Sequence, residues 1–273
     1  MICAYCESSG EMTREHLIPK FIYEIQNSFN KNHSGWNEAA EKIVKGETKI
    51  KDVCAHCNNV ILGELDGLAK KFLFDSGLLV ENYEKKYLLL KFEYKILLRW
   101  LLKISYNSSR LDGFHSSIHN KFLKFILDSS HSLQNKEQIR LVVSMNKGVD
   151  LRGHGELRKP DIKGDIYNPF LFRVSYGANH SNASVTHRII IIGPAVFNIF
   201  IFEDHVLPGH SASFIRSFIK KTNGTLIKDN IKLVRVEQSN SDWIDLFRAQ
   251  ALKEQNINSD YFQRLKFNKE LFS

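Results

Sequence analysis

Residues 54–72 read CAHCNNVILGELDGLAKKF, and this stretch decides the fold of the N-terminal part of the chain. It begins with a Cys-x-x-Cys pair and continues with apolar residues at helical spacing, which predicts a helix at about 58–74. A second pair opens the chain, where residues 3–6 read CAYC. Two such pairs can place four thiolates tetrahedrally around one zinc ion, and a closed four-sulfur site is structural. The predicted zinc ligands are Cys3, Cys6, Cys54 and Cys57.

A disulfide framework is the alternative use of four cysteines. Such frameworks belong to secreted proteins, and small domains rely on them where the core is insufficient. This chain begins without a basic segment followed by an apolar one, and 43% of its residues are apolar. Its longest apolar run, at 189–202, is interrupted by Gly193-Pro194 and is too short for a membrane-spanning helix. We therefore expect a cytoplasmic zinc protein with no membrane partner.

Hydrophobic periodicity predicts an α+β protein in two parts. Residues 1–75 are expected to form the zinc module, and residues 76–273 a mixed α+β domain. Besides the helix at 58–74, the module is predicted to contain a helical patch at 21–29 and a hairpin of strands 41–44 and 48–53. Beyond the module, the predicted helices lie at about 93–106, 118–127, 211–221 and from 243 onward. The predicted strands lie at about 139–145, 171–176, 187–192, 195–202 and 231–236, with a hairpin turn at Gly193-Pro194.

Residues 13–19, between the cysteine pairs, read TREHLIP and contain an adjacent carboxylate and imidazole. A lone Glu-His pair is a weak signal, because most such histidines are ordinary surface or core residues. Two asparagines, Asn58 and Asn59, follow the second cysteine pair directly. Both segments are attached to the same zinc-bound scaffold, so their side chains can converge in space.

This ordered combination resembles the HNH endonuclease family, in particular the variants flanked by two Cys-x-x-Cys pairs. The resemblance covers about the first 70 residues and extends to Gly63 and Asp66 in the predicted helix. It implies a ββα-metal fold that cuts phosphodiester bonds. In that fold an acidic-His pair ends the first strand, and a His or Asn at the helix start completes the metal site.

The resemblance implies that His16 is the general base, with Glu15 and Asn58 as ligands of a catalytic Mg²⁺ or Mn²⁺ ion. The chemistry fits these residue types, since an imidazole can take a proton from water near neutral pH. A hard divalent cation prefers oxygen ligands and stabilises the charge that develops on phosphate. Asn59 competes with Asn58 for the ligand role, because the register of the helix start is open, and Asn58 has an alternative role as an N-cap.

Three features depart from the family pattern. Asparagine stands where the family name has its final histidine, and the segment between His16 and Cys54 is long. The middle asparagine of the pattern is not identified, and the candidates are Asn30, Asn32 and Asn37. These departures leave room for a weak or inactive nuclease.

Charge is distributed unevenly along the chain, whose net charge is +8. Residues 1–75 carry nine Lys/Arg against eleven Asp/Glu, so the basic surplus lies in residues 76–273. Basic residues four apart, as on one helix face, are Lys91, Lys95, Arg99 and Lys103. This stripe is either the solvated side of an amphipathic helix or a surface that follows nucleic-acid phosphates, and Arg14 is a further candidate phosphate contact.

We therefore expect a metal-dependent endonuclease that cuts DNA, with RNA as the alternative substrate. The second domain would recognise substrate, a partner or an activating ligand, and paired cuts would suit a homodimer. The resemblance implies a role in bacterial restriction or defence against phage. The alternatives are a non-catalytic zinc module that binds nucleic acid, an interaction protein stapled by zinc, and a nuclease silent until a partner or signal acts.

Overall fold

The structure is a computed structural model of the 273-residue chain. It describes residues 1–29, 34–37, 42–81, 83–112, 116–133, 135–150, 167, 171–177 and 184–243. Over this part the chain is mixed α+β, which confirms the predicted class. It divides into two compact units. The first consists of Met1–Gly77, Lys91–Lys136 and Lys228–Leu233, and the second of the described residues of the other segments.

The first unit is built from short strands and from helices of unequal length. The strands are β1 (Met12–His16), β2 (Ser34–Asn37), β3 (Lys42–Lys45) and β4 (Lys49–Cys54). The α-helices are α1 (Lys20–Ser28), α2 (Gly63–Asp75), α3 (Tyr94–Asp112) and α4 (Leu123–Leu127). A π-helical segment, His56–Leu62, leads directly into α2, and a 3₁₀ segment, Ser116–Phe122, leads into α4. The predicted helical patch at 21–29 is thus confirmed as α1.

Strand pairing in this unit differs from the predicted hairpin. Strands form near both predicted positions, but β3 pairs antiparallel with β2, and β4 pairs antiparallel with β1. In the second pair, His16 lies opposite Lys49, and Met12 lies opposite Cys54. The hairpin prediction was wrong because local pattern identifies a strand but not its partner, which long-range packing selects. The β1–β4 pair brings the Glu-His segment beside the second cysteine pair.

The helix after the second cysteine pair confirms the predicted element, with a π-helical first part. Its buried residues lie five apart across the π-helical part and three or four apart from Leu62 onward, so they share one face of the helix. These residues are Cys57, Leu62, Leu65, Ala69, Phe72 and Leu73. The π-helical hydrogen bonding over His56–Leu62 widens the first turns, a feature that often coincides with functional sites.

The second unit is organised around a sheet. Its strands are β5 (Tyr87–Lys91), β6 (Ile139–Lys147), β7 (Phe172–Tyr176), β8 (Val185–Ile192), β9 (Ala195–Phe202), β10 (Thr225–Ile227) and β11 (Leu233–Asp242). The order across the sheet is β5-β11-β6-β9-β8-β7, and β10 also pairs with β6. The predicted hairpin at Gly193-Pro194 is confirmed as the antiparallel β8–β9 pair. Every residue of β9 is buried, so this central strand is covered on both faces.

Helix α5 (Pro208–Thr222) covers part of this sheet. Phe214 and Phe218 pack edge-to-face on Phe200, with ring centroids 5.5 and 4.8 Å apart. The helix predicted from residue 243 onward lies outside the described residues. Across the described residues, every helix is too short or too polar to cross a bilayer.

Candidate functional site

The two cysteine pairs come together at the base of the β1–β4 pair. The four cysteine sulfurs all lie within 4.8 Å of one another, and they belong to Cys3, Cys6, Cys54 and Cys57. The Sγ atoms of Cys6 and Cys54 are 3.7 Å apart. Zn–S bonds of about 2.3 Å place tetrahedral sulfurs about 3.8 Å apart. The cluster is therefore compatible with the predicted structural zinc.

Backbone amides support the same interpretation of the cysteine cluster. The Cys54 amide donates to Cys3 Sγ at 3.3 Å, and the Cys57 amide donates to Cys54 Sγ at 3.4 Å. Donors aimed at sulfur stabilise thiolates and orient metal ligands. Burial opposes ionisation of Cys6, but hydrogen bonds with Ser8 and the neighbouring cysteines lower the pKa of this thiol to about 6. Burial and the other thiols raise the pKa of Cys57, and a bound cation would favour its thiolate form.

Glu15 lies inside the first unit, with a side chain only 5% exposed. Its Oε1 atom accepts from Lys103 Nζ at 2.9 Å and from Asn107 Nδ2 at 3.2 Å. Both donors come from α3. Glu15 is therefore an ion-pair partner of a buried lysine, and a role as metal ligand would fall to its other oxygen, Oε2.

The same lysine bridges to a second carboxylate. Lys103 Nζ donates to Asp66 Oδ2 at 2.7 Å, and Trp100 Nε1 donates to Asp66 Oδ1 at 3.0 Å. Burial disfavours the ammonium, but Asp66 and Glu15 outweigh it and raise the pKa of Lys103. Burial also raises the pKa of Asp66, against the opposing effect of Lys103. The Lys103 ammonium thus lies between two carboxylates in the interior of the unit, and the lysine side chain is only 1% exposed.

His16 ends β1 and stays partly exposed, at 19% of its side chain. Its Nε2 atom lies 3.1 Å from Glu47 Oε2, and the same carboxylate oxygen accepts from Lys49 Nζ at 2.7 Å. The Tyr23 ring also lies near the imidazole, with centroids 6.1 Å apart. The hydrogen bonds with Lys49 and His16 lower the pKa of Glu47, which is therefore an anion beside the imidazole.

Asn58 connects the helix start to β1. Its Nδ2 donates to Thr13 Oγ1 at 2.8 Å and to the Arg14 carbonyl at 3.2 Å. Both amide hydrogens are used, so Oδ1 is the atom that can bind a cation. Asn59 is exposed, and the choice between Asn58 and Asn59 as a metal ligand stays a prediction.

Asn107 ties the Glu-His segment to the first cysteine pair. Besides Glu15, its amide donates to the His16 carbonyl at 3.0 Å, and its own oxygen accepts from Tyr5 at 2.7 Å. Arg110 also donates to that oxygen, at 2.6 Å, and forms an ion pair with Asp52 on β4. Helix α3 therefore supports the candidate site from within the unit.

Of the four predicted nucleic-acid contacts, two are accessible to solvent and two are buried. Arg14 is exposed and Lys95 is partly exposed, so a phosphate contact from either stays a prediction. Arg99 and Lys103 are buried, and Arg99 donates twice to the Ile126 carbonyl. The prediction of an exposed basic stripe was wrong at these two positions, because four-residue spacing defines a helix face but not whether that face meets water.

Sequence reasoning missed Glu47, Trp100 and Asn107, and it assigned Lys103 to an exposed surface rather than to a buried ion pair. A signal did exist in α3, where side chains with hydrogen-bond donors recur three and four apart within an apolar helix, at 100, 103, 107 and 110. Among the candidates for the middle asparagine, Asn30 and Asn32 lie outside the described residues, and only the backbone of Asn37 is described. For the part of the chain that is described, the four cysteines form the one grouping of three or more Cys, His, Asp or Glu residues close enough to share an ion.

Comparison of the chain with protein-family models, with curated proteins and with solved structures gave no match. Any functional conclusion therefore depends on the geometry and chemistry of the site itself.

Proposed function

We propose that the chain is a metal-dependent endonuclease of the HNH type that hydrolyses phosphodiester bonds in DNA. One observation carries the proposal, namely the two hydrogen bonds from Asn58 to Thr13 and Arg14. They tie the helix start after the second cysteine pair to the strand that ends in Glu15 and His16. These contacts support the proposal, because Asn58 lies beside the strand that carries Glu15 and His16.

His16 would act as the general base. Its ring is partly exposed, so water and substrate can reach it, and Glu47 can stabilise the positive charge that the imidazole acquires with a proton. Asn58 Oδ1 and Glu15 Oε2 are the oxygens that would hold a divalent cation, Mg²⁺ or Mn²⁺. When bound, such a cation stabilises the charge that develops on the phosphate and the leaving oxygen.

The outer face of the β1–β4 pair supports a polyanionic substrate. Arg14 lies directly opposite Lys51, and both are exposed. Like charges opposite each other across a strand pair are destabilising, so this pairing lowers the stability of the free protein. A phosphodiester backbone would remove that repulsion, and the face also includes His16 and Lys49.

A second candidate function is a zinc module that binds nucleic acid without cutting it. The buried ion pair of Glu15 with Lys103 favours it, because an internal ammonium already neutralises one proposed ligand of the cation. This module would keep the basic face and the cysteine cluster but would not need His16. It would bind DNA equally well with and without added Mg²⁺.

The test is incubation of supercoiled plasmid with purified protein in Mg²⁺, in Mn²⁺ and in EDTA, with zinc content measured in parallel. His16→Ala and Asn58→Ala should each lower the nicking rate by about 100-fold or more, as expected for a lost general base or a lost ligand. The matched controls are Asn59→Ala, next to the ligand position, and His210→Ala on the exposed start of α5, which should cut like the wild type.

Metal-independent DNA binding with no nicking by wild type would replace the nuclease proposal with the binding-module function. Nicking that persists in His16→Ala would remove His16 from the proposed role.

A further inference from the structure

A glutamate outside the Glu-His motif lies against the proposed base. Glu47 Oε2 is 3.1 Å from His16 Nε2, and nothing in the motif at residues 13–19 indicates this partner. The two residues are 31 positions apart, so strand pairing brings them together. Lys49 lies opposite His16 in the register and contacts the same oxygen of Glu47.

The backbone around Glu47 is held by several independent contacts. Gly46 precedes it with a φ of +101°, a conformation that side-chain-bearing residues rarely adopt, and so turns the chain into β4. The Thr48 amide donates to the Tyr23 hydroxyl at 3.2 Å. The Leu17 amide donates to the Thr48 carbonyl at 2.9 Å. Glu47 is therefore placed by the same strand pair that places His16.

A carboxylate can only accept a hydrogen bond, so its partner nitrogen on His16 must carry the proton. A neutral imidazole whose Nε2 is protonated has its lone pair on Nδ1. The charged or titratable groups that face His16 from the described elements are Glu47, Lys49 and Tyr23. Glu47 Oε2 is the acceptor that lies within hydrogen-bond distance of the ring, 3.1 Å from Nε2.

We infer that Glu47 is a positioning residue for His16. It fixes the imidazole in the Nε2–H form, so that Nδ1 is the atom that takes the proton from water. Lys49 holds the carboxylate in place. The catalytic consequence of this inference rests on the proposed nuclease function. The tautomer itself exists in the resting protein and can be measured there.

The test is NMR of the side-chain nitrogens of His16 in the full-length, zinc-loaded protein, at a pH where the ring is neutral. Wild type should show a protonated Nε2 and an unprotonated Nδ1. Glu47→Ala should shift both nitrogen signals toward the averaged values of an exposed histidine. Glu24→Ala removes an equal charge from an exposed i,i+4 pair with Lys20 in the same unit, and should leave the His16 signals unchanged.

Plasmid nicking adds a second measurement. Glu47→Ala should lower the rate at saturating DNA by about 10- to 100-fold, which is part of what a positioned base supplies. Glu47→Gln keeps an oxygen acceptor without the charge, so it should keep the tautomer and lose less activity than the alanine variant. This second variant also guards against a fold defect, since it preserves size and hydrogen bonding.

An Nδ1–H tautomer in wild type, or unchanged His16 signals in Glu47→Ala, would overturn the inference even if the protein cuts DNA. The Nε2–H form, lost only in Glu47→Ala, would support it even if wild type fails to nick. In that case the nuclease proposal would fall separately.

Discussion

A single lysine forms ion pairs with two carboxylates inside the first unit. Lys103 lies 2.9 Å from Glu15 and 2.7 Å from Asp66, while its own side chain is almost fully buried. A buried ion pair adds little net stability, because desolvation offsets the attraction. Loss of one partner is different, since it leaves an uncompensated charge in the interior.

Lys103→Met should therefore lower the free energy of unfolding by about 3–5 kcal/mol. Urea denaturation followed by tryptophan fluorescence measures this, because Trp100 donates to Asp66 in the same cluster. The matched control is Lys71→Met, which removes an exposed i,i+4 pair with Asp75 and should change stability by less than about 1 kcal/mol. Equal effects of the two substitutions would show that the buried cluster does not stabilise the unit.

The limits of sequence reasoning are clearest at individual residues. Cysteine spacing identified the four clustered sulfurs, because metal chemistry restricts both residue type and spacing. The burial of Lys103 could not be predicted, because the two carboxylates that stabilise its charge, Glu15 and Asp66, are distant from it in sequence. Glu47 was missed for the same reason, because only the β1–β4 register brings it to His16.

At the scale of elements, hydrogen bonds join the two cysteine turns to the β1–β4 strand pair. Cys3 accepts from the Cys54 amide, and the Ala4 amide donates to the Asp52 carbonyl at 2.9 Å. The first turn is therefore attached to the end of β4. A bound zinc ion would add four bonds at that junction, and metal binding of this type contributes directly to folding.

Cys57→Ser should reduce the bound zinc from one ion per chain to well below one, as measured by atomic emission. The first unit should then melt at a lower temperature, because Cys57 is fully buried and its hydroxyl replacement is a poor zinc ligand. Ser8→Ala removes the hydroxyl that contacts Cys6 but no ligand, and should keep one zinc ion. Full zinc content in Cys57→Ser would contradict the four-cysteine site.

Most elements were predictable because each is specified locally. The hairpin of β8 and β9 follows from two apolar runs on either side of Gly193-Pro194, and Gly193 has the positive φ of 52° that this turn needs. The partner of β4 was not predictable. Its strand pattern is local, whereas its pairing with β1 spans the whole segment between His16 and Lys49.

For the whole molecule, the main feature is that the two units are interleaved in sequence. The chain passes from one unit to the other after Gly77, Leu90, Lys136, Ile227 and Leu233. The zinc module expected at residues 1–75 therefore belongs to a larger unit that includes α3. That residues 1–75 fold independently of the rest of the chain stays a prediction.

A fragment of residues 1–77 should bind zinc, since it contains all four cysteines, but should not reach the native fold. It lacks Lys103 and Asn107, so Glu15 would be buried without its donors. A fragment of residues 1–136 contains them and should give well-dispersed amide NMR signals. Equal dispersion in both fragments would show that α3 is dispensable for folding.

The last segment of the first unit has a consequence for synthesis on the ribosome. The Lys232 carbonyl accepts from the Phe92 amide at 3.0 Å, so this unit is completed by residues made long after its beginning. Translation proceeds at about 5–20 residues per second, so roughly 10–30 s separate the emergence of Gly77 from that of Leu233. The segment around Phe92 therefore emerges well before its partner, and a truncated product that ends before Lys228 would lack this contact.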